Sequence, residues 1–199
     1  MTTLTTRGRA TRTRIVEAAA RLVHLNGVAA TTVDQVLEEA GAGKSQFYHY
    51  FGTKDDLVEA VLEFQAAVSE GEQTRILEQH PGWDGIRVWL DAVVEGQRRA
   101  DYAGGCPIGS MAAEMADRDP ELRVRLGEAF ERKRAALEHR LRELQDDGEL
   151  DGAAEPEGLA TFVIATLQGA LLLTSTLKHD HALAQAVGET WRHLVSFRR

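Results

Sequence analysis

The chain has 199 residues, 43% hydrophobic and 27% charged, a globular composition that excludes fibrous and disordered classes. Its 23 basic and 31 acidic side chains give a net charge of −8, which taken alone argues against a nucleic-acid partner. The charge is uneven, however. Residues 1–52 hold six basic groups (Arg7, Arg9, Arg12, Arg14, Arg21, Lys44) against four acidic ones (Glu17, Asp34, Glu38, Glu39), so this stretch is +2 and the remainder −10. The single cysteine, Cys106, cannot form an intramolecular disulfide. No N-terminal stretch has the apolar core of a signal peptide, and no apolar run approaches the ~18 residues of a membrane span. A cytoplasmic protein with no membrane partner is expected.

Four prolines (Pro81, Pro107, Pro120, Pro156) stand between segments whose apolar residues recur at helical spacing, and the fold class expected is all-α, with about nine helices. The first helix is expected from Arg7 or Arg12 to Asn26, with Ile15, Ala18, Ala19, Leu22 and Leu25 on its inner face and Gly27 as its stop. Thr31 or Thr32 caps a second, short helix carrying the stripe Val33, Val36, Leu37 and Ala40 and ending at Gly41. A third covers residues 44–51. Thr53 caps the fourth, with Asp55 and Asp56 in its positive first turn. Further helices are expected over residues 83–102, 106–116, 120–145, 155–178 and 181–197. No strand-period segment and no internal repeat is found. Residues 146–157, DDGELDGAAEPE, read as a polar surface loop.

Helices two and three are joined by only Gly41, Ala42 and Gly43, the layout of a helix-turn-helix. Four of the twelve aromatic residues fall within residues 47–51. At 100° per residue Phe47, Tyr50 and Phe51 share one side and can anchor the helix, leaving Lys44, Ser45, Gln46, Tyr48 and His49 to fan over the rest. That set suits a duplex. Glutamine bonds an adenine edge, lysine a guanine edge, and Ser, Tyr and His donate to phosphates. Lys54 in the first turn of helix four, and Thr31 and Thr32 at the start of helix two, lie where helix N-termini favour a phosphate. The arginine-rich segment before helix one is either an arm drawn to the DNA backbone or a solvated basic tail.

These residues resemble the tetracycline-repressor-like (TetR) family of bacterial transcriptional regulators. The resemblance rests on TTVDQVLEEAGAGKSQFYHYFGTKDDL, residues 31–57, preceded by ARLVHLNGV, and includes the pattern Tyr48-x-x-Phe51 with Lys54 three residues on. It covers about the first sixty residues; beyond them the chain agrees in length and helical layout. The resemblance implies that Lys44, Ser45 and Gln46 face base edges while Thr32, Tyr48, His49 and Lys54 hold phosphates. Tyr50 is turned inward by periodicity, although the family can use that position at the DNA backbone. Gly43 departs from the usual capping serine and Leu37 from a usual small alanine. The segment GCPIGSMAAE is also similar to one in a subset of the family related to drug-efflux repressors.

The family resemblance further implies that helices four to seven enclose a small-molecule effector pocket and that helices eight and nine pair with a second subunit. Helix eight, LATFVIATLQGALLLTSTL, is apolar nearly all round and needs cover on every side, which a homodimer through the last two helices supplies. Gln168 in its midst bonds across the dimer axis, bonds backbone, or points into the pocket. Phe64, Val68, Trp89, Val93, Gln97, Met111, Met115, Phe130 and Phe162 are the other candidate pocket walls, and an apolar or amphipathic effector is expected. Cys106, before Pro107 at a helix start, is either a buried thiol or a reactive one. Glu114 on the same helix reads as a solvated charge or a cap. His179, Asp180, His181 and His193 lack a clear metal-ligand spacing and read as capping groups, with no metal or other cofactor expected. There is no nucleophile elbow, phosphate-binding glycine loop or HExxH motif, so no enzyme is expected. The function expected is a ligand-responsive transcriptional regulator, a repressor released from a pseudo-palindromic double-stranded DNA operator. Its DNA-binding domain would be residues 1–52 and its effector-binding and dimerisation domain residues 53–199. The alternative is a helical binding or interaction module without specific DNA function.

Overall fold

In the computed structural model, which describes residues 5–199, nine α-helices and no strand occur among the described residues: α1 (Thr6–Asn26), α2 (Val33–Ala40), α3 (Lys44–Tyr50), α4 (Lys54–Gln79), α5 (Gly82–Arg99), α6 (Pro107–Met115), α7 (Pro120–Asp146), α8 (Pro156–Leu177) and α9 (His181–Val195). All four prolines stand at helix starts. Pro107, Pro120 and Pro156 are first residues and Pro81 is the N-cap of α5, where a missing N–H costs nothing. Asp119 completes the start of α7, its carboxylate accepting from the backbone of Glu121 and Leu122.

The described chain forms two compact units, which differ from the functional boundary expected at residue 52. The first holds residues up to Val68 together with Ser110–Leu126; the second holds Ser69–Gly109 and Gly127–Arg199. In the first unit α1 packs on α2 and α3 around Ile15, Ala18, Ala19, Val36, Leu37, Phe47 and Phe51, all buried. Leu25, expected on that inner face, is exposed, and Thr11, Val16 and Val23 are buried instead. The buried face of α1 thus follows the positions that meet its neighbours and turns away at the last helical turn. In the second unit α9 packs on α8 and α5, with Ile86, Leu90, Leu137, Leu141, Val163, Leu183 and Leu194 buried.

The fold differs from the sequence expectation at three places, although a start of α1 near Arg7 is one of the two expected. The four arginines at positions 7, 9, 12 and 14 lie on α1, not in an arm before it; only residues 1–4 of that segment lie outside the described residues. Arg12 sits over the Phe51 ring at 5.2 Å, a cation–π contact. Helix α5 stops at Arg99 because Asp101 and Tyr102 adopt positive φ of 48° and 57°. The stretch after α7 is not merely a solvated loop. Leu150 is fully buried, Asp151 N donates to Phe197 O at 2.8 Å, and the Gln145 side-chain amide donates to the carbonyls of Asp151 and Ala154 at 3.0 Å each.

The middle of α7 carries a charge chain in which Arg134 pairs with Glu131 and Glu138, and Glu138 with Arg142. These guanidiniums hold the carboxyls of both glutamates below their ordinary range, and Glu138 is largely buried. A depressed folded-state pKa contributes stability above the unfolded pKa that is lost as pH falls through the folded one. Thermal stability is therefore expected to drop as pH falls through and below the ordinary carboxylate range. Glu138→Gln flattens that dependence, as read from melting temperatures between neutral pH and pH ~3.

Candidate nucleic-acid interface and effector cavity

Caps at the starts of α2, α3 and α4 build the N-terminal unit, and two of them are reciprocal. Thr32 caps α2, its Oγ1 accepting from Gln35 N at 3.3 Å while Gln35 Oε1 accepts from Thr32 N at 2.9 Å. Gly41 ends α2 in the left-handed conformation at φ 59°, and Ala42 N reaches back to Leu37 O at 3.0 Å. Gly43 is the N-cap of α3 and donates its N–H to Gln46 Oε1 at 2.9 Å, the half of a capping box that needs no side chain at the N-cap. At α4, Thr53 Oγ1 accepts from Asp56 N at 3.1 Å and Asp56 Oδ2 from Thr53 N at 2.8 Å.

On α3, Phe47 and Phe51 are buried with their rings 5.6 Å apart, while Lys44, Ser45, Gln46, Tyr48 and His49 are exposed. Tyr50 is half-buried, between the two alternatives that periodicity and family pattern suggest. Lys44 Nζ lies 3.0 Å from Asp34, which holds the ammonium above its ordinary pKa and so charged. A pair this exposed is worth ~0–1 kcal/mol and yields readily to a stronger anion. Thr32 is exposed beside this face. Thr31 is not: it is 3% exposed and its hydroxyl donates to Gly27 O at 2.8 Å, inside the fold rather than on this face. Lys54 is half-buried and donates to Val28 O at 2.6 Å, tying the start of α4 to the α1–α2 turn.

A cavity of about 190 Å³ lies in the second unit. Trp89, Val93, Gln97 and Gln168 of the expected pocket residues line it. Phe64, Val68, Met111 and Met115 belong to the other unit and are not among its walls, and neither are Phe130 and Phe162, the latter 41% exposed. Walls that the sequence reading missed include Gln73, Ile76, Cys106, Ile164 and Leu171. Gln73 sits on the apolar-repeat face of α4 as a polar residue 1% exposed, the same signal that singled out Gln168. Its amide nitrogen donates to Lys133 O at 3.1 Å, and that of Gln97 to Gly105 O at 3.2 Å; both amide oxygens are buried without a partner. Of the histidine cluster, Asp180 is taken by Arg98 at 2.6 Å.

The model of the bacterial regulatory proteins of the tetR family matches residues 15–61, and that of the tetracyclin repressor-like C-terminal domain matches residues 82–189, more than half of the chain. The chain belongs to the TetR family. Among relatives of this TetR-family protein, the transcriptional regulator AcuR of Cereibacter sphaeroides is 30% identical over 192 residues, covering 89% of this chain and 83% of its own. The HTH-type transcriptional regulator LmrA of Bacillus subtilis is 29% identical over 176 residues, 86% of this chain and 90% of its own. The crystal structure of a TetR transcriptional regulator from Chloroflexus aurantiacus superposes with a TM-score of 0.87 at 27% identity, over 98% of this chain and 99% of that one. The protein is accordingly a DNA-binding transcriptional regulator with a helix-turn-helix at its N-terminus.

The interior position of Thr31 has a measurable consequence. Thr31→Val loses one hydrogen bond and is expected to lower stability in urea by about 1 kcal/mol while leaving duplex affinity unchanged.

Proposed function

We propose that the protein is a ligand-controlled repressor that leaves a pseudo-palindromic operator when a small apolar or amphipathic molecule occupies the cavity. The observation that carries the DNA half of this reading is α3 itself, where two buried phenylalanines leave Lys44, Ser45, Gln46, Tyr48 and His49 together on the outside. Lys44, Ser45 and Gln46 read base edges in the major groove, and Thr32, Tyr48 and His49 hold phosphates, with the remaining N–H groups of Lys54 beside them. Residues 1–52 are the reading head and residues 53–199 the effector and dimerisation part. The segment GCPIGSMAAE is the ground for placing the protein in the subset related to drug-efflux repressors, and a cytoplasmic location belongs to the same reading.

The amphipathic character of the effector is supported by the cavity walls, where Trp89, Ile164, Leu167 and Leu171 stand beside three glutamines. Dimerisation through α8 and α9 is supported by the face of α8 that this chain leaves uncovered. Phe162, Ala165, Gly169, Leu172 and Leu173 are all exposed at helical spacing, and Leu172 is 66% exposed. In the free dimer the two α3 helices match successive major-groove turns, and the effector binds better to a state with altered spacing.

The deciding experiment is binding to a labelled duplex from the region flanking the protein's own gene, over a salt series, against a random duplex of equal length. A preference of ~10³ or more supports the reading; equal weak binding there and in a selection from random duplexes favours the module without DNA function. Gln46→Ala costs ~1–3 kcal/mol on the best site and relaxes sequence preference, whereas Tyr48→Ala weakens all duplexes alike. Leu172→Arg yields a monomer in sedimentation and loses operator affinity; a dimer that survives it refutes the α8 interface.

A further inference from the structure

We propose that the cavity takes a neutral, compact aromatic molecule carrying two O–H or N–H donors, which the amide oxygens of Gln73 and Gln97 recognise. The assignment rests on reading the cavity as the effector site and narrows the class of effector. Both glutamines line the cavity, and in both the amide oxygen is buried without a partner. Buried polar groups are nearly always hydrogen-bonded, so two orphan acceptors in the wall of one cavity call for donors from outside the chain.

Neither amide can offer its nitrogen instead. Gln73 Nε2 donates to Lys133 O at 3.1 Å and Gln97 Nε2 to Gly105 O at 3.2 Å, and a backbone carbonyl can only accept. A flip of either amide would set oxygen against oxygen. The backbone of α7 and of the loop before α6 therefore fixes both orientations, and the group that each glutamine has left is an acceptor. Gln73 is 1% exposed, so a donor that reaches its oxygen does so away from bulk water, where a hydrogen bond discriminates most strongly.

The other walls set the rest of the ligand. Ile76, Trp89, Ile164 and Leu171 are buried apolar surface suited to a ring. An apolar cavity of about 150 Å³ holds benzene, so this one, at about 190 Å³, admits one ring or two fused rings. An anionic ligand is disfavoured at the glutamines, because a carboxylate or phosphate oxygen brings lone pairs against those of two amide oxygens. A cation is disfavoured by the lack of a buried carboxylate to receive it, since Glu72, the acidic wall residue, is exposed. A neutral ring bearing donors meets both constraints.

Equilibrium dialysis of the full chain against matched probe pairs tests this. Resorcinol is compared with meta-xylene, and a set of dihydroxynaphthalene isomers, which spans a range of donor separations, with the dimethylnaphthalenes of the same substitution. A methyl group fills nearly the space of a hydroxyl but donates nothing, and by apolar burial alone the dimethyl compound binds the tighter of each pair. At least one diol is expected to bind at least about 10-fold more tightly than its dimethyl partner. Gln73→Met and Gln97→Met keep the side-chain length and remove the acceptor; each is expected to weaken that diol about 10-fold and to leave the dimethyl compound within about threefold of its wild-type affinity. Dimethyl compounds that match the diols throughout the set, or a diol preference that survives in both variants, overturn the assignment and leave the cavity to purely apolar effectors. No detectable binding of any probe overturns it too. A bound diol that leaves affinity for the flanking-region duplex unchanged counts against the ligand-controlled repressor reading instead, since the dialysis involves no DNA and its donor preference stands.

Discussion

A helix of seven residues is not stable by itself, because the cost of its first turn is not recovered within so short a span. Everything that α3 does depends on its being held, and the holding is done by two phenylalanines. Phe47 and Phe51 bury fully against the unit that α1 and α2 provide. Each contributes ~1.5–3 kcal/mol of apolar burial. With that face committed, Lys44, Ser45, Gln46, Tyr48 and His49 are left outside and Tyr50 half-buried, and the polar surface of α3 is the geometric remainder of its anchor. The cap from Gln46 to Gly43 closes the one end that the aromatic contacts leave open.

The rest of the N-terminal unit keeps that anchor in place. Arg12 lies over the Phe51 ring, Arg14 donates to Ala40 O at the end of α2, and Arg21 pairs with Glu39. The arginines that give residues 1–52 their positive balance are thus partly spent on fastening α1 to the two short helices. Their charge still contributes to the local field that draws a duplex, since pairing with a carbonyl or a ring leaves it in place. This division of labour explains how a protein with net charge −8 carries a DNA-reading face: the acid lies in the remainder of the chain.

What was legible in the sequence was what depends on neighbours a few residues apart. The nine helices, their proline starts, the Thr53 cap, the short turn between α2 and α3 and the aromatic anchor all follow from i, i+3 and i+4 spacing or from cap chemistry. What was not legible depended on residues distant in the chain. Leu150 sits in a stretch with the composition of a solvated loop, yet it is buried because the chain's last residues fold back onto it. Of the candidate pocket walls chosen as aromatic or sulfur-bearing residues, Trp89 lines the cavity, and Phe64, Phe130, Phe162 and both methionines do not. Large apolar side chains fill core or cover a partner face as readily as they line a cavity, and only the tertiary arrangement distinguishes those uses. The polar residues were better guides: Gln97 and Gln168 both line the cavity, since a buried amide must be where something needs it.

The same contrast applies to charge. Lys54 reads in the sequence as a phosphate contact and Glu114 as a solvated charge or a cap, and in the fold both bond the backbone of a single turn, one the carbonyl of Val28 and the other its N–H and that of Ala29. Backbone groups carry no sequence signature, so nothing in the residues at 28 and 29 announces the partners that hold them. Contact to backbone also has a mechanical meaning. A side chain that yields can change rotamer and leave the chain path intact, whereas a peptide held through both its N–H and its C=O can be displaced only by moving the chain itself. Because Lys54 begins α4 and Glu114 lies in the last turn of α6, the one turn is fastened by two helices at once.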